Sequence, residues 1–212
     1  MKKIALILCL FLLPALACSA TTLAEGLVPS GGVLYKDYFD NPNSGWGQLN
    51  GDVGESDYVN GAYHIFTQQP NTNLWTHPGK DFSNVRIDVS ILSLSGPLEN
   101  RMGTICRLVN DRNYYFFVIS ADGYYGIGKM RAGQVIMLTN DMLPHDAILT
   151  GNQINQVTAE CSGKTLTLYV NNTLAGSVED SDLKSGDIGI LAGSFSQPGA
   201  DVYFDNFIVT KP

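Results

Sequence analysis

RMGTICRLVNDRNYYFFVISADGYYGIGKMR, residues 101–131, predicts three consecutive β-strands and decides the fold of the chain. Turn-forming residues separate the strands at Asp111-Arg112-Asn113 and Ala121-Asp122-Gly123. The middle strand is apolar or aromatic on both faces, so it is either covered on both sides or offers aromatic rings to a ligand with one face. The three predicted strands are Met102–Val109, Tyr114–Ser120 and Tyr124–Met130.

The remainder of the chain repeats this pattern of short strands and tight turns. Asn60-Gly61, inside the segment 58–66, is the strongest two-residue signal for a β-hairpin. Apolar and polar residues alternate from Val85 to Ile91, as in a strand with one buried face. No stretch has a helical period of useful length. The sequence therefore predicts an all-β protein, an antiparallel two-sheet β-sandwich of the jelly-roll type.

Composition and charge restrict the functions that this fold can serve. Of 212 residues, 44% are hydrophobic and 16% are charged, which is enough apolar material for one domain with a substantial core. The formal net charge is −7, so the chain repels phosphate backbones. We therefore expect no nucleic-acid partner.

The N-terminus has the features of an export signal. Met1-Lys2-Lys3 is followed by an apolar run from Ile4 to Leu13 and by small residues before Cys18. The sequence before Cys18 resembles a bacterial lipobox, although Ala15 stands where leucine is favoured. We predict a signal peptide over residues 1–17, lipidation of Cys18, a tether over 18–32 and a domain over 33–212. This predicts a lipoprotein anchored to the membrane outside the cytoplasm; ordinary cleavage and secretion is the alternative.

Two cysteines remain within the predicted domain, Cys106 and Cys161. Each lies on a predicted strand, and exported proteins occupy an oxidising compartment. Val157, Ala159 and Cys161 share one apolar strand face, which favours an interior position for the sulfur. The pattern favours a buried disulfide, with two unpaired core thiols as the alternative.

A series of short motifs resembles the concanavalin A-like lectin/glucanase sandwich. More narrowly, the chain is similar to exported bacterial domains grouped with the 3-keto-disaccharide hydrolase (DUF1080) and laminin G-like families. The resemblance implies a jelly roll that binds sugars, with hydrolysis of glycosides in a minority of relatives. The motifs are FDNPNSGW, GAYHI, GTICR, NYYFFVISADGYYGIGK, AECSGKTLTLYVNN, GDIGILAG and FDNFIV, which extend from about Tyr35 to Val209.

The sequence offers candidates for binding but no catalytic motif. It lacks the Glu-x-Asp-x-x-Glu pattern of glycanases in this fold class and the Gly-x-Ser-x-Gly motif, and its three histidines are isolated. We therefore expect no catalytic residues, no cofactor and no metal site. If apolar residues face inward, the outward candidates for carbohydrate contact are His64, Trp75, Arg107 and Tyr125.

Three functions follow from these observations. The favoured hypothesis is a tethered module that binds a glycan or another cell-surface polymer without cleaving it. The second is a glycoside hydrolase of the 3-keto-disaccharide type. The third is a structural domain of the cell envelope that serves interactions only.

Overall fold

The computed structural model describes residues 32–212, and in this range the chain forms sixteen antiparallel β-strands and no α-helix. The strands build two sheets that pack face to face, so the predicted antiparallel sandwich is confirmed. The nine-stranded sheet has the order β14-β13-β12-β6-β16-β4-β3-β2, with β1 beside the second half of β16. Its strands are β1 (Val33–Asp37), β2 (Leu49–Gly51), β3 (Gly54–Val59), β4 (Ala62–Thr67), β6 (Val85–Ser95), β12 (Ile154–Ser162), β13 (Thr165–Val170), β14 (Thr173–Glu179) and β16 (Asp201–Thr210).

The seven-stranded sheet has the order β10-β9-β8-β7-β15-β5, with β11 paired to β9. The central segment of the sequence supplies three neighbouring strands of this sheet, β7 to β9, as predicted. Its strands are β5 (Asn73–Thr76), β7 (Asn100–Asn110), β8 (Asn113–Ile119), β9 (Tyr124–Arg131), β10 (Gln134–Met137), β11 (Leu143–Pro144) and β15 (Asp187–Ser194).

The core lies between the two sheets and follows the period-two pattern of the sequence. On β6, the apolar residues of the Val85–Ile91 segment are buried, while the polar residues between them face outward. On β8, Tyr115, Phe117 and Ile119 enter the core. The alternation therefore assigns one face of each strand to the interior.

Hairpin chemistry also appears where the sequence predicts it. Asn60 and Gly61 join β3 to β4, and their φ angles of 53° and 77° lie in the left-handed region. Both residue types tolerate that region, and two such angles in succession match the right-handed twist of the flanking strands.

A disulfide joins the sheets across the core. Cys106 on β7 bonds to Cys161 on β12, with 6.8 Å between their α carbons. Both cysteines are fully buried. The predicted pairing is thus present in the structure, and it links strands of facing sheets.

The predicted signal peptide, the lipidation site Cys18 and almost all of the tether lie outside the described residues. Those parts of the prediction remain untested. Among residues 32–212, no helix has the length and apolar character needed to cross a membrane.

Candidate functional site

The two sheets present different outer surfaces. Near the centre of the nine-stranded sheet, outward side chains are polar and bond to one another: Arg86 donates to Asp88 at 3.1 Å and to Glu160 at 2.8 Å. Outward side chains of the seven-stranded sheet are mainly apolar and form a second cluster, separate from the core. Partly buried side chains, including that of Trp75, cover this cluster, and we place the candidate site on the surface that they form.

The middle strand β8 supplies the centre of this outer cluster. Tyr114, Phe116 and Val118 alternate with the core residues of the same strand and pack on Ile105 and Leu191 of neighbouring strands. Both faces of β8 are therefore buried, so of the two alternatives left open by its sequence the structure shows the strand covered on both sides. Its outer face is covered by partly buried side chains, among them Trp75 and Met130.

A shallow groove runs over this layer. Asn73, Trp75, Arg101, Tyr114 and Phe116 are among the residues that line it. Its enclosed volume is about 30 Å³, room for only one or two water molecules, so a ligand would lie along the groove rather than inside it.

Strand register places the two polar residues of the groove in one row. Gly193 on β15 pairs with Arg101 on one side and with Asn73 on the other. Arg101 is held by the carbonyl of Ser194, to which its Nη2 donates at 2.6 Å, and its guanidinium stacks on Phe195 at 4.1 Å. Burial lowers the pKa of Arg101, because the cation has left water without gaining a carboxylate partner among the described residues.

A larger and more polar cleft lies on the other side of Trp75. It opens between β5 and β2, the edge strands of the two sheets, and has a volume of about 280 Å³. Its polar lining residues are Gln48, Ser56, Thr76 and His77. Thr76 donates to the carbonyl of Gly47 at 3.2 Å, which joins the two sides of the cleft at its base.

Trp75 lines both the groove and the cleft. Its ring lies 6.1 Å from Tyr114 in the groove and 5.8 Å from His77 in the cleft. We call the continuous area formed by Asn73, Trp75, His77, Arg101 and Tyr114 the Trp75 surface. It combines a large aromatic ring with hydrogen-bonding groups on both sides.

Of the four residues predicted to contact carbohydrate, only Trp75 lies on this surface. His64 does point outward as predicted, but from the opposite sheet, where its Nε2 lies 2.8 Å from Asp201 and its ring stacks on Tyr203 at 4.5 Å. The structure therefore does not bring His64 and Trp75 together.

The predicted outward orientation of Arg107 is wrong. Arg107 has a φ of 51° in a bulged part of β7, where an extra residue breaks the alternation of side chains. Its side chain is buried and donates to the carbonyls of Ser83 and Leu183, both at 2.9 Å. It fastens two loops and reaches no open surface.

The outward orientation predicted for Tyr125 is also wrong. Only 8% of this residue is exposed, and its ring lies against the backbone of Gly176 inside the sandwich. Gly126 and Gly128 of β9 face outward instead. Because glycine has no side chain, the sequence shows no polar or apolar pattern for that face of the strand.

Sequence reasoning missed His77 and Arg101. His77 follows Trp75 by two residues, so the strand period alone places both on one face. Arg101 lies two residues before Gly103 and four before Ile105, and the same period puts it on the outer face of β7. Asp187, which bonds to His77, is 110 residues away and gave no local signal.

Among residues 32–212, no cluster of three or more histidine, cysteine or acidic side chains is arranged to hold a metal ion. The groove and the cleft are also lined by no aspartate or glutamate. The side chains present on this surface offer aromatic stacking, through Trp75, and hydrogen bonding, through Asn73, His77 and Arg101.

No protein-family model matches the sequence, and no curated protein matches it. Solved structures do resemble its fold. A carbohydrate-binding module, CBM66, from Bacillus subtilis superposes with a TM-score of 0.65 at 15% identity over 79% of this chain and 96% of the module. A Bacillus subtilis protein of unknown function with a galectin-like fold gives a TM-score of 0.62 at 12% identity, covering 85% of this chain and 96% of that one.

An enzyme also contains this fold. The GlcNAcα1-4Gal-releasing endo-β-galactosidase from Clostridium perfringens gives a TM-score of 0.61 at 10% identity over 87% of this chain, which corresponds to 64% of the enzyme. Identities of this size establish likeness of fold alone. The chain has the β-sandwich fold of galectin-like proteins and carbohydrate-binding modules, consistent with a concanavalin A-like sandwich.

Proposed function

We propose that the domain is a carbohydrate-binding module that holds a glycan against the Trp75 surface. The observation that carries this proposal is the position of Trp75, an aromatic ring shared by an apolar groove and a polar cleft. Sugar rings have an apolar face of C–H groups and an edge of hydroxyls, so they suit a surface that combines an aromatic ring with polar groups. Fold neighbours that include a carbohydrate-binding module support the same assignment.

We further propose that binding is not accompanied by cleavage. Glycosidases commonly use two carboxyl groups that flank the scissile bond. The lining of the groove and the cleft contains none. The alternative, a glycoside hydrolase of the 3-keto-disaccharide hydrolase type, predicts release of reducing sugar from oligosaccharides on incubation with the protein.

We also propose that the module is attached to the outside of a membrane through a lipid on Cys18. The small residues before Cys18 support this. The test is metabolic labelling with an alkyne fatty acid, where Cys18→Ser is expected to abolish labelling. Labelling that persists in this variant would contradict the anchor without affecting the proposed glycan site.

The glycan site is tested by calorimetric titration with galactohexaose, xylohexaose and cellohexaose. Trp75→Ala is expected to raise the Kd of the bound hexamer about thirtyfold, the loss of about 2 kcal/mol typical of a central aromatic contact. Trp75→Phe retains a ring and is expected to lose less, which separates stacking from a failure to fold.

Tyr38→Ala is the matched control, because Tyr38 is 42% exposed and does not line the groove or the cleft. It should leave the Kd unchanged. Equal binding by wild type and Trp75→Ala, or no binding of any hexamer by the wild type, would overturn the proposal.

A further inference from the structure

His77 and Asp187 form a hydrogen-bonded pair at the wall of the cleft. Asp187 begins β15, and its side chain is only 7% exposed, whereas that of His77 is 43% exposed. Nδ1 of His77 lies 2.5 Å from Oδ2 of Asp187. A buried carboxylate thus holds an accessible imidazole by one of its two nitrogens.

The other contacts of Asp187 determine which nitrogen of His77 carries the proton. Oδ2 also accepts from the backbone N–H of Gly79 at 2.7 Å, and Oδ1 accepts from that of Ile188 at 2.8 Å. Both carboxylate oxygens of Asp187 therefore act as hydrogen-bond acceptors, and Nδ1 of His77 donates to Oδ2. In the neutral imidazole, Nε2 is then left without a proton and is an acceptor.

Nε2 of His77 has no hydrogen-bond partner among residues 32–212. The ring lines the cleft beside Trp75, with 31° between the two ring planes. A hydrogen-bond donor on a ligand in the cleft would satisfy this acceptor, and the most abundant donors of a sugar are its hydroxyl groups.

The charges around the cleft indicate which sugars fit. The cleft is lined by no lysine or arginine, and the formal net charge of the chain is −7. Within the cleft, a carboxylate or sulfate on the ligand would meet the acceptor nitrogen of His77 with no lysine or arginine beside it, because Arg101 lies on the other side of Trp75, in the groove.

We propose that His77 is a binding residue that accepts a hydrogen bond from a hydroxyl of a neutral sugar unit, and that Asp187 is the positioning residue that fixes the tautomer of His77. This inference rests on the proposed carbohydrate-binding function. It adds the ligand class, the atom that recognises the ligand and a buried group that acts through it.

The tautomer is measured without any ligand, from long-range nitrogen–proton correlations of the side chains at pH 8. The chain contains three histidines, and the signal missing from His77→Gln identifies His77. Wild type is expected to carry the proton on Nδ1. In Asp187→Ala, the acceptor for Nδ1–H is lost, so the proton is expected to move toward Nε2.

Binding is measured at pH 8 with the three neutral hexamers and with a galacturonic acid hexamer. His77→Phe and Asp187→Ala are each expected to weaken binding of the neutral hexamer about tenfold, as for the loss of one well-placed hydrogen bond. His77→Gln keeps an acceptor near the position of Nε2 and is expected to bind within about threefold of wild type. The acidic hexamer is expected not to bind.

The tautomer and binding measurements together test both this inference and the proposed function. A wild-type proton on Nε2, full binding by His77→Phe, or preference for the acidic hexamer overturns this inference. If Trp75→Ala still raises the Kd about thirtyfold in that case, the proposed function stands. Failure of the wild type to bind any neutral hexamer overturns both.

Discussion

Lys129 is a buried cation whose partners come from a segment about fifty residues away. It projects inward from β9, and its ammonium group bonds to Asp180 and, at 2.8 Å, to Asp182. Tyr115 donates to Asp180 and accepts from the backbone N–H of Leu183 at 3.1 Å. Asp180 and Asp182 thus fasten this segment to the seven-stranded sheet.

Asp180→Asn is expected to lower the free energy of unfolding at pH 7 by about 1–3 kcal/mol, because it removes the charge opposite buried Lys129. Burial by itself raises the pKa of Asp180, but hydrogen bonds from Lys129 and Tyr115 outweigh it, and the net pKa is lowered. A carboxyl with a lowered folded-state pKa stabilises the fold above its unfolded pKa, about 4, and loses this effect as pH falls through the folded value. The difference between wild type and variant should therefore narrow below about pH 4.

Urea unfolding at pH 7 and pH 3 measures this difference. Glu179→Gln is the control, because the ion pair of Glu179 with Lys164 is exposed and should contribute less than about 0.5 kcal/mol. An Asp180→Asn effect of the same size at both pH values would contradict the role of the ionised carboxylate.

Strand β9 shows how missing side chains shape the outer face of a sheet. Its two outward glycines leave space that neighbouring side chains fill. A Cβ on Gly128 would overlap the Phe116 ring and lie 2.9 Å from the carbonyl oxygen of Ile136. A Cβ on Gly126 would meet Met137 Cε at 2.6 Å and Met142 Sδ at 2.7 Å, both at the ends of flexible side chains.

Gly128→Ala is therefore expected to lower the free energy of unfolding by about 1–3 kcal/mol, because a ring and a backbone carbonyl cannot move aside without strain. Gly126→Ala is the matched variant on the same strand and face. It should lose less than about 1 kcal/mol, since methionine side chains adapt to new neighbours. Equal losses in thermal or urea unfolding would show that the contacts of Phe116 do not control this position.

Among residues 32–212, one disulfide links the two sheets of the sandwich covalently. The Cys106–Cys161 bond encloses a loop of 55 residues, which in the chain-entropy treatment stabilises the fold by about 4 kcal/mol. Replacing both cysteines with alanine is expected to lower the free energy of unfolding by about this amount and Tm by about 10 °C.

Comparing the single and double alanine variants separates the effect of losing the disulfide bond from the effect of losing buried sulfur atoms. Either single replacement already breaks the link, so each should lose nearly as much as the double variant. Two small losses that simply add would mean that packing of the two side chains, rather than the cross-link, provides the stability. Urea unfolding of the wild type, the two single variants and the double variant measures the four free energies of unfolding that this comparison requires.

Patterns among neighbouring residues were sufficient to predict the strands and their turns. Alternation from Val85 to Ile91 predicted a strand with one buried face, and Asn60-Gly61 predicted a hairpin, because side-chain direction and left-handed φ angles are properties of neighbouring residues. The same period correctly placed His64 on an outer face. It failed at Arg107, since a bulge adds a residue and reverses the faces beyond it.

The sequence by itself determined an acidic, all-β chain with aromatic residues on both faces of its middle strand. Only the tertiary structure decided that both faces of this strand are buried and that His64 and Trp75 lie on different sheets. It also brought Asp187 to His77 and Asp180 to Lys129, pairs separated by 110 and 51 residues. Such pairs depend on strand order and sheet packing, which many distant contacts fix together and which no local pattern encodes.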